Sequence, residues 1–401
     1  MAKHLADFVV IGGGIAGASV AYELTRHGRV ILLEAEDQCG YHSTGRSAAV
    51  ISENYGPPLW SRLVTATRPF LEHPPADFAP VPLLTDRGAL FLALDSELET
   101  LEARADELTR RGTKIERMTA EEATRLCPVI DASKFHSAIF EPDCKDIDTD
   151  ALMSGYLRAI GRSGGEVRTS ARVTAIKRTP ASWQLETECG ALECGVLVNA
   201  AGGWVQQVAE MVGFGYRNVV PFRRTAVTFN PPEGHDIRSW PMTFDIAETF
   251  YFKPEAGSIM VSPVDMEPTV PNDAAADELE TAIAIDRIHS FTTMTVAAVK
   301  HKWAGLRTFA PDHEPVIGAD PADEGFIWLA GQGGNGVMAC AAAARLAAAF
   351  AVGEDVPADI ASLGIRREDV SPARACVTDK NAAAPVVGQF CEKRTLLLAR
   401  R

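Results

Sequence analysis

The stretch that most constrains this chain is "DFVVIGGGIAGASVAYELTRHGRVILLE", residues 7–34. A short β-branched run leads into G-x-G-x-x-G at Gly12, Gly14 and Gly17, and helical spacing then continues to Gly28. A second apolar strand follows and ends on Glu34. Gly12 and Gly14 permit a tight turn and the close approach of a pyrophosphate, while Gly17 lets the helix pack on the strand. Ile15 and Ala16 open a helix whose N-terminal amides suit an anion. Glu34, followed by Ala35, sits where a carboxylate accepts both hydroxyls of a ribose. A dinucleotide site on a parallel α/β fold is the expectation, set against a fortuitous glycine-rich turn.

Three later segments favour FAD over NAD. "HSTGRSAA" (42–49) supplies small donors suited to a flavin pyrophosphate, at Ser43, Thr44, Arg46, Ser47 and Ala48. "VLVNAAGGW" (196–204) is a strand ending in small residues, including Ala201 and Gly202, and Val173 lies in the strand-like "ARVTAIKR" before it. "AGQGGNG" (330–336) offers backbone amides at Gly333, Gly334, Asn335 and Gly336 ahead of a helix. Such a terminus stabilises negative charge on a reduced flavin; a simple left-handed turn before a helix is the alternative.

Charge narrows the partners. The chain has 39 basic and 53 acidic residues, a net −14, which argues against nucleic acid or anionic membrane as a binding surface. Eight cysteines without a C-x-x-C pair or zinc-type histidine spacing imply reduced thiols, no metal and a cytoplasmic protein. The apolar run "GVMACAAAARLAAAFAV" is broken by Arg345 and too short to span a bilayer. Helices are expected near 58–72, 96–112, 119–126 (opened by a Thr119–Glu122 capping box), 149–162 and 275–291. Strands are expected from 165 to 199 and at 219–229, 250–253 and 258–263. Strand–glycine–helix units at both ends imply an α/β fold: a glutathione-reductase-like Rossmann FAD domain assembled from discontinuous segments. The expected division gives that domain 1–57, 148–218 and 302–370, and an α+β substrate domain on an antiparallel sheet 58–147 and 219–301, with 371–401 as a tail.

Together "GGGIAGASVAYEL", "GYHSTGRSAA", "DIDTDAL", "VLVNAAGGW", "FYFKPEAG", "WAGLRTF" and "GQGGNGV" resemble the D-amino-acid oxidase/glycine oxidase family of FAD enzymes, over residues 6–375. Within it they are most similar to the bacterial D-arginine dehydrogenases. The resemblance implies that Arg307 holds a substrate α-carboxylate, that Tyr251 donates to the same group, and that Tyr55 covers the pocket. It places Arg224 and Ser52 beside that pocket. An internal pair with Asp312 is the alternative for Arg307, and Arg223 the competing register for Arg224. Ala89 stands where the D-arginine enzymes carry a glutamate, Val50 where they carry a histidine, and Asn335 where they carry a tyrosine. The implied reaction is oxidative deamination of a D-amino acid that is not strongly cationic. Hydride passes to flavin N5, the imino acid hydrolyses, and a quinone or O2 takes the electrons, the former allowing peripheral contact with the inner membrane. Competing readings are a glycine/sarcosine-type oxidase of N-methyl or secondary amino acids, a flavin-binding subunit without amine chemistry, and an NAD-dependent dehydrogenase.

Overall fold

Two sheets share the molecule, and the chain crosses between them repeatedly. The computed structural model describes residues 4–215 and 217–379. In the first, eight-stranded sheet, His4–Ile11 lies between Gly190–Asn199 and Val30–Leu33, parallel to both. Asp323–Ala330 joins Gly190–Asn199 in parallel, so strands from the start, middle and end of the chain run side by side. Val30–Leu33 is buried at every position, as a parallel strand covered on both faces must be. One cover is the helix Ile15–Leu24 packed between Thr149–Arg162 and Cys340–Ala351. Alanines dominate the last of these, and their small side chains let the helices approach closely.

The second sheet has nine strands and is almost wholly antiparallel, the exception being Met242–Asp245 alongside Ala89–Ala93. At one end Val299–Phe309 pairs along Val220–Phe229, placing Arg307 opposite Phe222 and Gly305 opposite Arg224. A small third sheet joins Val50–Ile51, Lys145–Ile147 and Leu84–Asp86.

The helices Pro58–Glu72 and Thr149–Arg162 occupy their expected positions. Ala120–Leu126 carries its capping box: Thr119 Oγ1 accepts from the Glu122 amide at 3.2 Å, and Glu122 Oε2 accepts from the Thr119 amide at 2.9 Å. Three expectations need correction. A domain boundary at 302 would cut the Val299–Phe309 strand, which belongs to the second sheet. The glycine loop does not lead directly into a helix, because turns occupy 333–339 and the helix begins at Cys340. Residues 371–379 are docked rather than loose: Arg374 pairs with Asp312 at 2.8 Å, and the Val377 carbonyl accepts from the Asn218 amide at 2.9 Å. The remainder of the expected tail, 380–401, lies outside the described residues. Among the described residues no helix is long and apolar enough to cross a membrane, and no His/Cys/Asp/Glu group is arranged to hold a metal.

Candidate cofactor cleft and substrate pocket

The glycine turn brings backbones together as its spacing requires. Gly12 has φ of +105°, and a Cβ there would lie 2.5 Å from the Ala200 carbonyl oxygen. A Cβ on Gly17 would stand 1.7 Å from the Gly12 oxygen, so only glycine allows the Ile15–Leu24 helix to start where it does. The helix has no side-chain cap at Gly14; instead Thr44 Oγ1 accepts from the Ile15 amide at 3.0 Å. Glu34 is fixed at the end of its strand by the Gly13 amide at 2.7 Å and the Glu36 amide at 2.9 Å.

These groups open on a long cleft enclosing about 1390 Å³, part of it open to solvent. Of the residues expected to hold cofactor, Gly12, Gly14, Ile15, Ala16, Glu34, Ala35, Ser43, Thr44, Ser47, Val173, Ala201, Gly202, Gly333, Gly334 and Gly336 line it. Four do not. Gly17 is consumed by the helix–strand contact. Arg46 points away, donating to the carbonyls of Ala304 at 2.9 Å and Ala274 at 3.0 Å and pairing with Asp273. Ala48 lines the neighbouring pocket instead, and Asn335 is buried against Gly56. Sequence reasoning missed His42, Trp204, Gln207 and Gln332 on the cleft wall, since none has a spacing signature. The amides of Gly334, Gly336 and Val337 meet no acceptor among the described residues, and all three line the cleft. That array of free donors fits a group that gains negative charge, as a flavin does on reduction.

A smaller pocket of about 650 Å³ meets the cleft at Ser47, Arg307, Gly334 and Val337. Tyr55, Arg224, Tyr251 and Ser52 line it with Phe91, Met242, Phe244 and Met338. Ala89 does not; it is fully buried in the core beside Phe91. Among the described residues, no Asp, Glu or His is on this pocket's wall.

Arg307 is 8% exposed and has no carboxylate within 4.0 Å among the described residues. Among the described residues its donors reach only the carbonyls of Leu306 at 3.2 Å and Arg46 at 3.5 Å. Asp312, the alternative partner, is held by Arg374. Burial pulls the Arg307 pKa down and nearby Arg224 adds to this, while Tyr251, Tyr55 and the more distant Asp265 act the other way. Arg224, also buried, donates from Nε to the Asp265 carbonyl at 2.8 Å and bonds to the Tyr55 hydroxyl. Arg223 faces Asp265 and Asp277 instead, at 3.8 and 3.6 Å, so alternation along the strand selects Arg224 for the pocket. Burial raises the Tyr55 pKa, keeping that hydroxyl a donor. Behind the wall Ser52 Oγ donates to buried Glu141 at 2.9 Å, and burial pushes the Glu141 carboxyl above its usual range.

A fold of this kind, with a dinucleotide cleft opening onto a cationic pocket, defines a flavin-dependent oxidoreductase. Residues 7–350 match the FAD dependent oxidoreductase (DAO) family, and the chain belongs to it; FAD is its cofactor. It is 26% identical over 385 residues to FAD-dependent oxidoreductase domain-containing protein 1 of Mus musculus, covering 83% of this chain and 78% of that one. It is 22% identical over 397 residues to mitochondrial dimethylglycine dehydrogenase of Mus musculus, covering 91% of this chain but only 44% of that longer protein. The crystal structure of glycine oxidase from Geobacillus kaustophilus superposes with a TM-score of 0.78 at 20% identity, over 90% of this chain and 98% of that one.

Proposed function

We propose that this chain oxidatively deaminates a D-amino acid whose side chain carries no strong positive charge. The observation that carries the reading is Arg307, a buried guanidinium without an acid partner among the described residues, at the junction of cleft and pocket. A substrate carboxylate supplies the missing charge, and a planar guanidinium pairs with it bidentately, fixing orientation as well as affinity. Tyr251, Tyr55 and Arg224 provide further donors. Two arginines and no acid on the wall disfavour a cationic side chain, whereas Phe91, Met242, Phe244 and Met338 accept an apolar one. Without a histidine or carboxylate on that wall, the substrate amine enters neutral and positioning does the work of a base. FAD, when bound, supplies the two-electron oxidising group. The CH–NH2 unit becomes an imine, which water hydrolyses to a 2-oxo acid and ammonia. The D-configuration rests on the resemblance of the segments around Arg307 and Tyr251. Electrons then pass to a quinone or to O2; the protein is cytoplasmic, touching the inner membrane only if a quinone serves.

A glycine/sarcosine-type oxidation of N-methyl or secondary amino acids is the second reading, favoured by the likeness to dimethylglycine dehydrogenase. It shares the carboxylate clamp. Anaerobic titration of the flavin absorbance with D-, L- and N-methyl amino acids separates the two, and admitting air then identifies the acceptor. Bleaching by D-amino acids is expected; a flavin left oxidised by all three sets sinks both readings.

A further inference from the structure

Gly305 has no backbone reason to be glycine. It lies within the Val299–Phe309 strand, and its φ is outside the left-handed region. Side chains two apart on a strand share a face, and residues directly paired across strands share it too. Gly305 is two residues from Arg307 and directly paired with Arg224, so all three project toward one side. A Cβ at 305 would lie 2.9 Å from Arg307 Nη1 and 3.4 Å from Arg46 Cβ. The first is closer than van der Waals contact allows. The second is a tight contact on the methyl's other flank, so the added methyl cannot lean away toward Arg46 and it is the guanidinium, whose Nη2 donates to the Arg46 carbonyl, that must shift.

We infer that Gly305 is a positioning residue: by lacking a Cβ it seats the Arg307 guanidinium at the mouth of the pocket, beside the like-charged Arg224. Its influence on substrate runs entirely through Arg307. The inference rests on Arg307 being the carboxylate clamp, as proposed above.

The test is a double-mutant cycle on the FAD-loaded protein, read by the flavin spectrum on titration with propionate, a simple carboxylate, so that turnover is not needed. Gly305→Ala is expected to weaken propionate binding at least tenfold while flavin content and melting temperature stay unchanged. Combined with Arg307→Ala it should bind no worse than Arg307→Ala alone, because the clash has lost its partner. Full-strength binding by Gly305→Ala overturns the inference, as does a double variant with additive losses. If Gly305→Ala fails to fold or to retain flavin, recovery in the double variant supports the clash, and persistent failure overturns it. If Arg307→Ala itself leaves propionate binding intact, the carboxylate-clamp reading falls, and this inference with it.

Discussion

At the scale of single residues, the site is organised around a buried charge that no carboxylate among the described residues pairs with directly, Asp265 acting on it only from beyond 4.0 Å. Burying a guanidinium without an acid costs stability unless something pairs with it. Arg307 accepts that cost, since its donors meet only two carbonyls among the described residues. Arg307→Met should therefore divide function from folding. Carboxylate affinity should fall roughly ten- to hundredfold, the equivalent of about 1.5–3 kcal/mol for a charge-assisted hydrogen bond, while the melting temperature holds or rises. Spectral titration and a thermal melt check both halves; a melting temperature that drops with affinity would mean Arg307 holds the fold together. Glu314 makes the complementary case away from the pocket. Burial first and nearby Asp312 second raise its pKa from 4.5 to about 7, and its Oε2 has no hydrogen-bond partner among the described residues. The folded state therefore holds a proton that the unfolded chain has released, so this residue's contribution falls as pH climbs from 4.5 to 7. Glu314→Gln should flatten the decline in melting temperature over that window, and an unchanged profile would refute the assignment.

Among elements, the segment around residues 40–47 couples the two sheets. Ser43 Oγ donates to the Leu306 carbonyl at 2.7 Å, Arg46 to the Ala304 carbonyl at 2.9 Å, and Trp303 Nε1 to the Arg46 carbonyl at 3.4 Å. The segment that walls the cleft is thereby fastened to the strand that presents Arg307. Arg46 holds this junction rather than the cofactor, so Arg46→Ala should lower FAD affinity and carboxylate affinity together. Asp273→Asn, which removes the charge of the exposed partner in the Arg46 pair and leaves an amide oxygen to accept from the Tyr41 hydroxyl, should change each by less than about 1 kcal/mol. Flavin fluorescence on dilution measures the first effect; an Arg46→Ala protein that keeps both affinities would show that the fastening is redundant. Such contacts join positions more than 250 apart, and nothing in the local pattern of "HSTGRSAA" reveals them. Local chemistry was legible: the Thr119 capping box and the amphipathic 58–72 and 149–162 helices follow from short-range spacing. The strand "ALFLA" (89–93) was not, because burial at every position erases the alternation that marks a strand. Nor was the docking of 371–379, which depends on Asp312 being available to Arg374.

For the whole molecule, the consequence is that the two cavities are neighbours by construction. The first sheet ends in the glycine turn and Glu34, and the second delivers Arg307 and Tyr251; the cleft and pocket share Ser47, Arg307, Gly334 and Val337. The glycine motif could be read at once as a nucleotide site, because its reason is local. The meeting of Arg224, Tyr251 and Arg307 could be reached only through resemblance, because Arg224 and Arg307 are brought together by strands far apart in sequence and the Tyr251 hairpin joins them through a further strand pairing. The cleft is lined by the glycine turn of the first sheet and by Leu306, Arg307 and Thr308 of the second, so FAD held there should stabilise both sheets as one unit. Ligand that binds only the folded state adds RT ln(1 + [L]/Kd), about 2.7 kcal/mol at a hundredfold excess over Kd. The melting temperature of flavin-stripped protein should therefore rise with added FAD as a single transition, monitored together by tryptophan emission and far-ultraviolet circular dichroism. If FAD moves only one of two separate transitions, the sheets unfold independently, and the mechanical link through Arg46 and the Val299–Phe309 strand is weaker than its hydrogen bonds imply.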